Sequence, residues 1–281
     1  MRTRPRSLVL AAALVVSGAM NAQAAPRIAS INVCTDQLLL TLADPDQIAG
    51  LSPYARDPAS SWLAERARNF RRLSGEAEDV LMLKPDVVVA GAFSRRATRE
   101  MLTQMGQRVV EFDVAQSLDD VRRNIRLMGD LVGHPERAGA EIARFDDAIT
   151  RARAAAARHP LRVLAVSRRG WITGQHSLLG ALLQAVGLTN IAGELGVAAG
   201  GFQPLETVIK LRPDLLVVSE EGDIAVDQGQ AFLLHPALEK LYPLHKRIAI
   251  PDVLTVCDGP SLTAALDRLT ADLTRIAAER R

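Results

Sequence analysis

The chain has 281 residues, with 34 lysines and arginines against 32 aspartates and glutamates, for a formal charge of +2. A balance so close to neutral carries no electrostatic footprint for nucleic acid. The length admits two compact lobes or one large domain.

Arg2, Arg4 and Arg6 make a basic start, and Leu8 to Val16 is an apolar run too short to span a bilayer as a permanent helix. Ala22-Gln23-Ala24 supplies the small-x-small pattern after which signal peptidases cut. Residues 1–24 are therefore expected to be a signal peptide, leaving a soluble protein of the bacterial periplasm. Without the three leader arginines the remainder is slightly acidic. No later stretch is apolar enough to cross a membrane.

Arg27 to Val33 reads as a strand and Asp36 to Leu42 as a helix, so Cys34 falls on a strand-to-helix turn. The second cysteine is Cys257. Two cysteines in an oxidising compartment favour a disulfide; thiols facing a ligand or soft metal, or inert packing, stay open. The histidines at 134, 159, 176, 235 and 245 form no HExxH or zinc-type pair, so no metal site is expected.

The chain repeats itself. "EDVLMLKPDVVVA" (78–90) aligns with "ETVIKLRPDLLVVS" (206–219), each a short helix, a Pro-Asp turn and a β-branched strand. The proline is expected to end the helix and the aspartate to start the turn. "QRVVEFDV" (107–114) resembles "KRIAIPDV" (246–253), and "RIASINV" (27–33) opens the first half as "LRVLAVS" (161–167) opens the second. Strands alternating with helices at this spacing predict two α/β lobes, each with a mainly parallel sheet flanked by helices.

Between them, Leu118, Val121, Ile125, Met128, Leu131 and Val132, then Ala138, Ile142, Phe145 and Ile149, recur at helical spacing around Gly133-His134-Pro135. This predicts an N-terminal lobe over 25–116, a long helical backbone over 117–160 and a C-terminal lobe over 161–281, with a ligand cleft between the lobes. No GxSxG elbow and no glycine-rich phosphate loop follows either opening strand, so no catalytic residues are assigned and the chain is not expected to be an enzyme. A secreted α/β enzyme with a cleft active site is the competing class, beside a free-metal or metallophore binder using Cys34 and Cys257.

"INVCTDQLLLTLADPDQIAGLS", the paired "L[KR]PD" strand entries, "TGQHSLLGALLQAVGLTNIAGE" and "VCDGPSLTAALDRL" resemble periplasmic substrate-binding proteins of the helical-backbone class. These serve ABC importers for cobalamin, haem and iron–siderophore chelates, and the pattern is nearest the cobalamin-binding members. The resemblance implies a monomer with no resident cofactor, whose ligand is a transported metal chelate. Its site would lie between the lobes, in the loops at the carboxyl ends of both sheets. Those loops hold Cys34, Thr35, Asp36, Tyr54, Arg56, Phe93, Ser94 and Arg95 in the first half. In the second they hold Trp171, Gln175, His176, Phe202, Glu220, Glu221, Cys257 and Asp258.

Rings would give flat apolar contact, and arginines would meet carboxylates or amides. The resemblance also implies that Glu78 and Glu206 pair with arginines of a membrane permease dimer. Each position has a plainer reading. The two glutamates suit the first turn of a helix, Trp171 suits a core, and His176 suits a loop before the helix cap Ser177 rather than an axial metal ligand. Glu220 and Glu221 are either solvated or repel anionic chelates.

Overall fold

A computed structural model describes residues 25–157, 161–219 and 227–279. Residues 1–24, the expected signal peptide, therefore lie outside the described residues. So do Glu220 and Glu221. Among the described residues no helix is long and apolar enough to cross a membrane.

The first lobe is a four-stranded parallel sheet built from β1 (Ile28–Ser30), β2 (Ile48–Gly50), β3 (Val87–Gly91) and β4 (Val109–Phe112), in the order β2-β1-β3-β4. Every residue of β3 is buried, as a parallel strand covered on both faces requires. Helices α1 (Val33–Leu42), α2 (Ala64–Ala67), α3 (Ala77–Leu81) and α4 (Arg96–Gln104) complete it.

The second lobe uses β5 (Arg162–Ser167), β6 (Trp171–Thr173), β7 (Thr189–Asn190), β8 (Gly200–Phe202), β9 (Leu215–Val218) and β10 (Arg247–Ala249). Its parallel part, β7-β5-β9-β10, reproduces the order of the first sheet. The repeat in sequence is thus a repeat in topology. What has no counterpart is the ribbon β6–β8, which adds antiparallel to the carboxyl end of β5.

The Pro-Asp turns repeat down to their hydrogen bonds. Lys84 and Arg212, each just before the proline, adopt left-handed φ of 47° and 48°; Arg212 caps α8 directly, whereas α3 ends at Leu81 and a turn intervenes before Lys84. Asp86 accepts the backbone N–H of Arg27 at 2.8 Å and Asp214 that of Arg162 at 2.7 Å. The aspartates therefore clamp the entry of the neighbouring strand, at the residue just before β1 and at the first residue of β5, a stronger role than starting a turn.

The segment between the lobes is two helices rather than one rod: α5 (Leu118–Val132) and α6 (Pro135–Ala156). A capping box between Ser117 and Asp120 starts α5, Gly133 at φ 76° ends it, and Pro135 opens α6. The chain folds back there, so Arg122 meets Asp146 near the open end of the hairpin at 2.6 Å. Only α6 makes the crossing. Its 22 residues span about 33 Å, from Arg137 on the Leu42 carbonyl in the first lobe to Arg153 on the Ala185 carbonyl in the second.

α7 (Leu178–Ala185), α8 (Leu205–Leu211), α9 (Gln228–Ala231) and α10 (Pro236–Leu241) belong to the second lobe. The last helix, α11 (Pro260–Glu279), returns along α6, tied by Arg151 to Asp267 at 2.7 Å. One continuous core runs from Ile28 and Leu38 through Phe145 and Ala152 to Val163, Leu182 and Leu269. Lobes that share a core through a helical layer are restrained against wide hinging, because opening would expose that apolar surface.

Candidate ligand-binding site

Parallel strands end at one edge of their sheet, and in open α/β sheets ligands lie outside that edge. Here the carboxyl edges of the two sheets meet at Cys34 and Cys257. β1 ends at Ser30, and Asn32 then caps α1 by accepting the N–H groups of Cys34 and Thr35. The strand therefore stops earlier than its β-branched run suggests, and Cys34 sits in the first turn of the helix. From the other lobe, the loop after β10 brings Cys257 to it with Cα atoms 5.0 Å apart, inside disulfide range. Asn124 of α5 donates to the buried Asp258 carboxylate beside this pair.

The first lobe offers Tyr54 (56% exposed) and Phe93 (88% exposed) around a recess of about 210 Å³ that Asn32, Ser94, Arg95 and Thr98 also line. The second offers Trp171 and Phe202. These two lie opposite each other on β6 and β8 and pack edge to face, ring centroids 5.0 Å apart. Glycine at position 200 is required for this, since a Cβ there would stand 2.6 Å from the Trp171 indole. Single exposed rings are ordinary; exposed rings on the facing edges of two lobes call for a ligand.

Several residues expected to touch ligand lie beneath the surface instead. Thr35 is buried, its hydroxyl bonded to that of Ser30 at 2.8 Å. Asp36 is fully buried and accepts the Ser52 N–H at 3.0 Å and hydroxyl at 2.5 Å, which anchors the Ser52-Pro53-Tyr54 loop. Its part is to hold the loop that presents Tyr54. Cys257 and Asp258 are also buried.

Arg56 donates to the Phe70 carbonyl and Arg95 pairs with Glu76. The Ser94 hydroxyl accepts from the Gly91 N–H, and Gln175 donates to the Asn190 carbonyl. His176 is exposed and precedes Ser177, which caps α7. Glu78 and Glu206 are exposed at the second residue of α3 and of α8. Arg169, unassigned in the sequence, lies over the Phe202 ring at 5.8 Å; an Arg-Arg-Gly at a strand's carboxyl end was the available signal. Among the described residues no three His, Cys, Asp or Glu side chains are grouped to hold a metal ion.

Burial pushes the Asp36 carboxyl up to about 7 against the hydroxyls of Ser30 and Ser52, and it pushes Asp258 up to about 6 against its bond from Asn124. Both are raised above their unfolded values, so their contribution to stability is full below about pH 4 and falls as pH rises through 6 and 7. Asp120 acts oppositely: hydrogen bonds from Gln116 and Ser117 lower it to about 2, so its contribution is lost only in strong acid. The unfolding midpoint is expected to fall between pH 5 and pH 8, and Asp36→Asn to flatten that slope. Thermal melts across the range check this; an unchanged slope in the variant contradicts it.

These features define a two-lobed α/β fold of the periplasmic binding protein class with a helical backbone. A model of the family described as "Periplasmic binding protein" matches residues 28–240, and the chain belongs to that family. It is 26% identical over 216 residues, 75% of its length, to a cobalamin-binding protein of Halobacterium salinarum, and it spans 58% of that relative. In fold it resembles the periplasmic heme-binding protein RhuT from Roseiflexus sp. RS-1, with a TM-score of 0.70 and 24% identity over 90% of this chain and 99% of that one. It also resembles the periplasmic vitamin B12 binding protein BtuF of Vibrio cholerae, with a TM-score of 0.67 and 18% identity over 90% and 98% of the two chains.

Proposed function

We propose that this chain is the capture subunit of an ABC importer. It binds a metal chelate of the cobalamin, haem or siderophore type between its lobes and delivers it to a permease dimer. The observation that carries this reading is the set of exposed rings at both carboxyl edges, Tyr54 and Phe93 on one lobe and Trp171 and Phe202 on the other. Such rings suit a large, flat, amphipathic cargo.

The family and the binding activities named for its relatives support capture rather than catalysis. In this reading residues 1–24 direct export and are removed. Cys34 and Cys257 are oxidised to a bridge in the periplasm, and the protein acts as a monomer. Its cargo is the only metal-bearing group.

Glu78 and Glu206 hold equivalent places in the two halves of the repeat, and among the described residues neither carboxylate has an ion-pair partner. They suit a two-fold permease with arginines on each half. Exposed ion pairs contribute about 0.2–1 kcal/mol each, so their effect is on orientation and encounter.

Cells lacking this chain are expected to lose uptake of the chelate and to regain it with the wild-type gene. The double variant Glu78→Ala, Glu206→Ala should bind the chelate normally and restore little uptake. Full uptake by the double variant would refute the docking role. Uptake independent of the chain would refute delivery.

A further inference from the structure

The cations at the carboxyl edges are not equivalent. Arg56 is engaged by the Phe70 carbonyl, Arg95 by Glu76, and Arg168 by Asp227. Arg169 is exposed, and among the described residues its guanidinium has no hydrogen bond or ion pair, only the face of Phe202. Its backbone is left-handed, φ 59° and ψ 18°, a conformation that an L-residue with a long side chain adopts at a cost. The strain turns the side chain back over the ribbon β6–β8, the part of the second lobe that the first lobe lacks. The result is a layered surface of Trp171, Phe202 and Arg169, with one cation held 5.8 Å from the ring centre.

We propose that Arg169 is a specificity-determining residue, selecting chelates that carry an anionic arm, carboxylate or phosphate, near an apolar ring. The proposal rests on the cargo reading above and narrows it. The ring of the cargo lies against Phe202 and Trp171, and its anionic arm reaches the N–H groups that the stacked guanidinium leaves free. Arginine suits this because its flat cation can stack on a ring and still donate in its own plane. A neutral analogue of the same shape keeps the ring contact and loses the charged one.

The test is calorimetric titration of wild type, Arg169→Ala, Arg169→Lys and Arg169→Gly with haemin, haemin dimethyl ester and cyanocobalamin, which carries a phosphodiester. The expected result is that wild type prefers an anionic member and that Arg169→Ala weakens that binding by about tenfold to a hundredfold. Lysine should restore part of it, and binding of the neutral ester should not change. Arg169→Gly relieves the backbone strain, so it should melt no lower than wild type and still lose the preference. That variant separates selection from folding.

Equal binding of charged and esterified members by wild type, or equal loss of both in Arg169→Ala, overturns the selection and leaves the cargo reading standing. If no member binds wild type, the cargo reading fails for these chelates and the selection fails with it.

Discussion

Replacing Cys34 and Cys257 together by alanine is expected to lower the unfolding midpoint by roughly 5–15 °C and to weaken chelate binding. The two residues are 223 apart in sequence, so a bridge between them removes much of the freedom of the unfolded chain. In the chain-entropy account a closure of that length contributes about 5 kcal/mol, and loss of native bridges typically costs about 2–5 kcal/mol.

The surrounding seam gives the bond more to do. Segment 255–261 of the second lobe lies on the first, with Gly259 close to Leu38 and Asp258 held by Asn124. Gln37 and Ser261 are buried nearby in sequence, and among the described residues their side-chain polar atoms have no hydrogen-bond partner. Polar groups buried in that way weaken a contact, so a covalent link between Cys34 and Cys257 would do more than its neighbours to hold the lobes together. Scanning calorimetry of the variant and of dithiothreitol-treated wild type should give similar losses, and denatured, unreduced wild type should show no free thiol. Two free thiols, or an unchanged midpoint, would contradict the account.

The second large effect is expected at the ribbon of the second lobe. Trp171→Ala and Phe202→Ala should each weaken chelate binding by about tenfold to a hundredfold, the range set by burying one aromatic face. Melting temperature should barely move, because Trp171 is 37% and Phe202 61% exposed in the free protein. Met105 is 66% exposed and lies in the turn between α4 and β4, at the amino edge of the first sheet, so Met105→Ala serves as the control. Calorimetric titration separates the cases. Equal affinities for Trp171→Ala and Met105→Ala would mean that the ribbon does not touch cargo. A matching drop in midpoint would make both rings structural.

Much of the fold was legible because it is periodic. The buried runs Val87-Val88-Val89 and Leu215-Leu216-Val217-Val218 become β3 and β9 as their composition requires, and the doubled Pro-Asp motif marks two sheets of one topology. Boundaries and facing were less legible. Asn32 starts α1 a turn early because its side chain satisfies two helical N–H groups, a competition that strand propensity does not register.

Asp36 and Asp258 read as ligand groups because the resemblance places their loops at the carboxyl edges of the sheets, whereas both are buried. Only the tertiary fold supplies Ser52 and Asn124 as their partners. The ribbon β6–β8 is too short and glycine-rich to signal itself, and the left-handed turn that aims Arg169 depends on its docking. Tyr54, Phe93, Trp171 and Phe202 were named from the loops that the resemblance places at the carboxyl edges, and all four are exposed.

The central claim is that the edges joined at Cys34 and Cys257 hold a metal chelate. The most direct measurement is the visible absorption spectrum and native mass of the protein purified, without added ligand, from its own periplasm. The account predicts absorption from a corrin, porphyrin or ferric chelate, with an added mass corresponding to one such cargo that is released on unfolding. A fully occupied site carrying a sugar, peptide or other metal-free cargo would contradict it.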